Sequence, residues 1–446
     1  MRRLPTSPLL LLLFWLGCAS APKPAPQANG PVFLENDYPA ALAQARASQK
    51  LLFIDFWAPW CHTCISMRAY VFSDPAMKAL ENRFVWLAVD TENPVNTEVV
   101  AHFPLDVWPT LLVVDPTSGT PVRRWLGSAT ATEFAARLDA LDKGWRAGGA
   151  KDVAQSSLAD GAALVQAGKR ADAAVAYRAA ALASAPGTPL HAQAVELLVL
   201  QLSLTRQSAE CVRTARAELP GLPPGTSLAA VAQTGLECAL RLPATDADRL
   251  AAAPGLETRV AELSRDLTVP MLADDRSGLF ETLVEVRRDR GDAAGALAAA
   301  ADWAAYLEAA AARAKTPDAR AVFDSHRLAA YLALGQPERA IPMLEQSRAD
   351  FPRDYNPDAR LAVAYLALHK PAQALTFAEQ AEVLVYGPRT LRVLLTKAEA
   401  QAALGDKAGT KATLARADEL VASLPEGQRG AWMVSAIDSK RKALLQ

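Results

Sequence analysis

The chain is short of the features that would mark several common protein classes. Its 446 residues hold five cysteines and five histidines, and 47 Lys and Arg stand against 48 Asp and Glu. A net charge of −1 gives no electrostatic case for nucleic acid or an acidic membrane surface as a partner. No internal stretch stays apolar over the length that a membrane span requires. One Cys-x-x-Cys is present, Cys61 to Cys64, but no second Cys or His pair stands at ligand spacing and the histidines are scattered. That pattern argues against zinc and implies neither metal nor cofactor. What the chain has in quantity is alanine, in long Ala/Leu stretches with interspersed charges that read as packed helices, over a length that suits two or three domains.

The N-terminus differs from the rest. Arg2 and Arg3 precede an apolar run from Leu9 to Leu16, the two parts of a bacterial secretory signal over residues 1–18. Gly17-Cys18 resembles the end of a lipobox, which implies cleavage before Cys18 and acylation of its thiol. Trp15 and Leu16 depart from that motif, and Ala19-Ser20-Ala21 offers an ordinary cleavage site instead. Either route leads to the periplasmic side of a cell envelope. A lipid on Cys18 would be the only membrane attachment, and Ala19 and Ser20 give no inner-membrane retention signal, so the outer membrane is the default. Residues 19–33, rich in Ala and Pro, read as an extended spacer.

The Leu51–Trp57 run is almost continuously apolar, as in a strand buried on both faces, and Asp55 interrupts it. A carboxylate there is costly to ionise and should have a raised pKa. Cys61 would then stand at the N-terminus of a helix, where backbone N–H groups stabilise a thiolate, with Cys64 on the same helix face. The first is the expected nucleophile, the second the resolving thiol. His62, when protonated beside the nucleophile, would stabilise the thiolate and make the couple more oxidising; His62 and Thr63 therefore bear on redox direction.

Asp55-Phe56-Trp57-Ala58-Pro59-Trp60-Cys61 resembles the approach to the active site in the thioredoxin superfamily, and Trp108-Pro109-Thr110 its cis-proline loop. Phe72-Ser73-Asp74-Pro75 with Lys78-Ala79-Leu80 resembles, more closely, the periplasmic C-terminal thioredoxin-like domain of the DsbD disulfide reductases. The resemblance implies a thioredoxin fold over 34–142, with proton transfer between Asp55 and Cys64. It also implies a cis Pro109 against the sulfurs, beside which an extended substrate peptide would pair. Trp108 departs from the small or aliphatic residue usual there; Trp60 reads as a structural flank.

Residues 143–152 hold Gly144, Gly148 and Gly149 and read as a hinge. Beyond it, 153–446 reads as wholly helical. Tyr331-Leu-Ala-Leu-Gly335 with Ala340 is echoed 34 residues later by Tyr365-Leu-Ala-Leu-His369 with Ala374, and more loosely from Leu404 to Thr410. This period resembles tetratricopeptide repeats, which stack into a superhelix with a concave binding face. Tyr331 and Tyr365 read as packing residues, and the middle, Gly187 to Arg276, as degenerate repeats. Cys211 and Cys238 suit either a structural disulfide or two buried thiols.

The expected protein is therefore a thioredoxin fold followed by an all-α repeat domain, an exported thiol–disulfide oxidoreductase acting on a protein disulfide. As a reductase it would need a membrane electron donor of DsbD type, and its repeats would recruit a substrate or partner. Two alternatives share the same residues: an envelope scaffold with a non-catalytic docking domain, and a periplasmic oxidase or isomerase.

Overall fold

The computed structural model describes residues 30–148 and 152–445. The signal and lipidation expectations at 1–18, Cys18 among them, lie outside these residues, as do 19–29 of the spacer and 149–151 of the hinge.

Five strands, β1 (Leu34–Glu35), β2 (Leu51–Trp57), β3 (Phe84–Asp90), β4 (Thr110–Val114) and β5 (Pro121–Leu126), form one sheet in the order β1-β3-β2-β4-β5. The first three are parallel, and β4 and β5 each run antiparallel to their neighbour. Side chains alternate across a strand, so Leu51 and Phe53 enter a core with Met67, Val71 and Phe134 while Leu52, Ile54 and Phe56 enter the opposite one with Val85 and Leu87. The same alternation puts Asp55 on the face of Leu51 and Phe53. Helices α1 (Tyr38–Ser48), α2 (His62–Ser66), α3 (Pro75–Lys78), α4 (Thr97–His102) and α5 (Ala131–Arg146) accompany the sheet.

Three local expectations shift. A helical pattern with Tyr38, Leu42 and Ala45 runs from Leu34 to Lys50, but Leu34 and Glu35 pair with Leu87 and Ala88 as a strand, and the helix starts at Tyr38 behind Asp37, whose side chain accepts from the Ala40 N–H. The sequence from Asn93 to Phe103 reads as a polar helix, but it opens with a 3-10 turn at Pro94–Asn96 and is α-helical only over Thr97–His102. At the expected hinge, α5 runs on through Lys143 and Gly144 to Arg146, its last turns tied by Lys143–Asp139 and Arg146–Asp142 ion pairs at i, i+4 spacing.

All regular structure from Val153 onward is helical. The array begins with α6 (Val153–Gln166), α7 (Arg170–Ala183), α8 (Pro189–Leu204), α9 (Ser208–Glu218), α10 (Thr226–Arg241) and α11 (Ala247–Arg265). It continues with α12 (Ala273–Asp289), α13 (Ala293–Arg313), α14 (Pro317–Ala321), α15 (Asp324–Ala333), α16 (Ala340–Asp350) and α17 (Tyr355–Ala367). The last four are α18 (Pro371–Leu384), α19 (Thr390–Ala403), α20 (Lys407–Ser423) and α21 (Ala431–Leu445). Small residues at the contacts, such as Ala299, Ala330, Ala362 and Ala374, are fully buried and let successive helices approach closely. The repeated turn position takes a left-handed backbone at Gly335 (φ +70°) and again at His369 (φ +55°), which explains glycine there and makes His369 the costlier copy. Tyr331 is buried, donates to Glu308 at 2.7 Å and carries Arg339 over its ring, while Tyr365 stacks on Phe377. Cys211 on α9 and Cys238 on α10 are joined by a disulfide.

The array does not stand off as a free arm. It starts against β5, where Gln193 donates to the Arg124 carbonyl at 2.9 Å and Arg170 pairs with Asp106 at 2.6 Å. It then curls back over the far end of the sheet, where Gly387 approaches so closely that a Cβ would lie 2.3 Å from the Glu92 carbonyl oxygen.

Candidate active site

The chain leaves β2 at Trp57 and turns through Ala58-Pro59-Trp60 into α2. Cys61 caps this helix, its sulfur accepting from the Cys64 N–H at 3.0 Å. A helix N-terminus offers N–H groups without intrahelical partners, so this sulfur sits where negative charge is stabilised. Cys61 and Cys64 form a disulfide. They are 3% and 0% exposed, packed in a small apolar cluster with Ala58, Trp57, Trp60 and Trp108. The Trp108–Pro109 peptide is cis, and the Pro109 carbonyl accepts from the Gly127 N–H. Trp108 does not point away as a spare aromatic; its indole N–H donates to Thr91 Oγ1 at 2.9 Å and its ring packs 5.5 Å from Trp60. Trp60 in turn donates to Glu92 Oε1 at 2.8 Å.

Asp55 is buried and neither of its oxygens has a hydrogen-bond partner among the described residues. Arg68 Nε approaches to 3.7 Å while its guanidinium lies over the Trp57 ring. Burial pushes the Asp55 pKa up to about 6; Arg68 moderates the effect and Glu35 adds to it.

The residues between the cysteines are held from 211 and 212 positions away in sequence. Asp274, at the start of α12, accepts from His62 Nδ1 at 2.8 Å and from Thr63 Oγ1 at 2.7 Å. Burial pulls the His62 pKa down, but the Asp274 carboxylate, its hydrogen bond and Glu281 outweigh this, and the net shift is upward. His326 on α15 packs 3.9 Å from His62 between ring centroids; burial and the neighbouring His62 charge lower its pKa to about 3. Of the two rings, His62 is therefore the one that more readily takes up an extra proton. His62, Asp274 and His326 bring potential ligand atoms within 4.8 Å of one another. Asp274 is engaged by His62 and Thr63, and His326 by the Ser277 hydroxyl at 2.6 Å.

More of the array reaches this end of the sheet. Asn356 donates to the Pro59 carbonyl at 3.1 Å, Tyr386 to Asp90 at 2.5 Å, the Arg389 N–H to Glu92 at 2.7 Å and Gln428 to the Thr91 carbonyl at 3.1 Å. The Arg389 guanidinium lies over the Trp60 ring. The structure thus gathers the sequence-expected Asp55, Trp60, Cys61, His62, Thr63, Cys64, Trp108 and Pro109 at one place. Cys211 and Cys238 lie elsewhere, within the array. Asp274, His326, Asn356 and Arg389 were not legible as site residues; the only sequence signal touching them was the expectation of a concave binding face.

Comparison with known proteins agrees with this architecture. The Thioredoxin-like family matches residues 34–116 and the Tetratricopeptide repeat family residues 331–382. Thiol:disulfide interchange protein DsbD of Pseudoalteromonas atlantica is 30% identical over 82 residues, which are 18% of this chain and 14% of that protein. DsbD of Colwellia psychrerythraea is 30% identical over 105 residues, 22% of this chain and 17% of that one. The chain therefore spans about a sixth of the length of these relatives. A solved tetratricopeptide repeat protein from Parabacteroides merdae aligns with a TM-score of 0.38 at 11% identity, covering 65% of this chain and 98% of that one. No helix of the described residues is long and apolar enough to cross a membrane. The chain joins a thioredoxin-like domain, with a Cys-x-x-Cys disulfide and a partial likeness to DsbD, to a helical array that contains tetratricopeptide repeats.

Proposed function

We propose that this protein is an exported disulfide reductase whose dithiol is Cys61 and Cys64. The observation that carries the reading is the placement of that pair: Cys61 caps α2 beside the cis Trp108–Pro109 peptide, and an unpartnered, buried Asp55 lies in the strand leading to it. Reduced, Cys61 attacks a substrate disulfide as thiolate. A Cys61–substrate disulfide forms and the other substrate sulfur leaves as thiolate, taking a proton. Cys64, deprotonated with Asp55 as proton acceptor, attacks the Cys61 sulfur, closing the Cys61–Cys64 disulfide and releasing the second substrate thiol. Two electrons pass to the substrate, and a membrane dithiol donor of DsbD type restores the reduced pair. The helical array walls the site and supplies the surface on which a protein substrate is held.

The reduction potential of the Cys61–Cys64 couple in the full chain tests the direction. A value near about −270 mV supports the reductase, and one near about −120 mV makes the protein an oxidase. A protonated His62 favours the second outcome, since it stabilises the thiolate of the reduced form. The scaffold reading draws on one observation, the burial of both cysteines. Cys61→Ser separates it: function in the cell survives in a scaffold and is lost in an enzyme.

A further inference from the structure

Three clefts open around the cysteine pair, and they differ in charge. The largest, about 770 Å³, runs from Trp60 and His62 between α15, α17 and α19 and takes in Arg360, Arg389 and Arg392. A second, about 420 Å³, continues past the other side of Trp60 to Trp108 and shares Arg389 and Arg392. None of these three guanidinium groups makes a hydrogen bond or ion pair among the described residues. Arg389 lies over Trp60 and Arg392 over Trp432, and burial lowers the Arg389 pKa to about 10. The acidic groups of the first cleft are Glu399, which is taken by Lys440, and Glu281, at the end nearest His326. Glu92 borders the second, occupied by Trp60 and the Arg389 N–H. Arg360 and Arg389 are half-buried and Arg392 is exposed at the cleft mouth; a guanidinium without a carboxylate partner is a ready site for an anion.

The third cleft, about 390 Å³, lies across His62 and Trp108 from these. Its charged lining is Glu196, Glu237, Asp274, Asp275 and Glu281, with His62, whose charge Asp274 already meets, and no lysine or arginine. Burial and the Asp274 charge raise the Asp275 pKa to about 7, so a further negative charge is unwelcome there.

We propose that the arginine-lined cleft receives an acidic stretch on one flank of the substrate's cysteine, and that the carboxylate-lined cleft rejects acid on the other flank. This rests on the thiol–disulfide reading and adds a substrate class to it: extended segments of proteins in which Asp or Glu residues lie on one side of a disulfide-bonded cysteine. The arginines act as a specificity element, steering and holding the segment while Cys61 reacts.

The test uses the full chain, pre-reduced, and synthetic peptides whose single cysteine carries a thiopyridyl disulfide, so that attack on the peptide sulfur releases pyridinethione. Four peptides place three Asp before the cysteine, three Asp after it, Asp on both sides, or Lys in place of Asp. One single-flank acidic peptide is expected to react with a second-order rate constant at least tenfold above the double-flank and Lys peptides at low salt, and the advantage should shrink as salt rises. The Arg360→Gln/Arg392→Gln double variant should bring the ratio of acidic to Lys peptide towards one. Equal rates for all four peptides in the unsubstituted protein, or a ratio unmoved by salt, overturn the proposal while leaving the redox reading standing. Failure to react with any peptide and with neutral dithiodipyridine overturns the redox reading, and this proposal with it.

Discussion

Replacing Asp55 with Asn should stabilise the folded protein, by an amount that depends on pH. The side chain is 1% exposed, its oxygens lack hydrogen-bond partners, and Arg68 at 3.7 Å is the one cation in ion-pair range among the described residues. Burial holds its pKa at about 6 instead of 3.8. A carboxyl whose folded pKa is raised costs nothing while it is protonated in both states, below 3.8. Its cost grows as pH rises from there to about 6 and is complete above. At 1.36 kcal/mol per pH unit the full cost is about 3 kcal/mol. Asparagine keeps the shape without the charge, so the Asp55→Asn variant should gain close to nothing at pH 4 and about 3 kcal/mol at pH 8. The readout is the urea transition of the oxidised protein at both pH values, followed by tryptophan fluorescence. A gain of equal size at pH 4 and pH 8, or a loss at pH 8, refutes the assignment of an unpaired buried carboxyl. If Asp55 takes the Cys64 proton as proposed, the same variant should also slow release of substrate from Cys61, on the order of 10² or more.

Other perturbations report on separate parts of the structure. Cys61→Ser should abolish disulfide exchange, and Cys64→Ser should leave the attack intact and accumulate a mixed disulfide that dithiothreitol releases, seen as a mass adduct. Asp274→Asn should cost about 1.5–3 kcal/mol at pH 6 through the lost charged hydrogen bonds. Because His62 has a raised folded pKa, that contribution is complete below about 6.5 and fades as pH rises through the folded value. Urea midpoints of wild type and variant should therefore draw closer as pH rises, and a constant gap would contradict the ion pair. Replacing both Cys211 and Cys238 with Ala opens a loop of sequence separation 27 and should cost about 3.5 kcal/mol by chain entropy, with exchange activity unchanged. Gly387→Ala drives a Cβ against the Glu92 carbonyl at a φ of +63° and should destabilise the chain by about 1–3 kcal/mol, measured as a fall in urea midpoint.

The thioredoxin-like sheet was largely legible because its signals are local. A seven-residue apolar run can only be a buried strand when the Cys-x-x-Cys follows at once, and Asp55 within it announced itself by being the wrong residue for a core. The short β1 was missed because two residues carry no period; their strand state comes from the open edge of β3. The continuation of α5 to Arg146 was hidden by Gly144, whose low helix propensity is outweighed by the flanking ion pairs. Repetition at 34 residues exposed the helical array, since each copy must solve the same packing problem with the same small residues.

By itself the sequence determined the redox pair, the strand and helix that present it, and the helical character of all that follows, since these depend on contacts within a few residues or on a repeating period. Only the tertiary structure decided where the array goes. Its superhelical path is the sum of many small rotations between helix pairs, and no single residue encodes that sum. The path brings Asp274 onto His62, His326 against the same ring, Asn356 onto Pro59 and Arg389 onto Trp60. Part of the array that the repeats were expected to offer to a partner is thereby turned onto the protein's own Cys61–Cys64 pair.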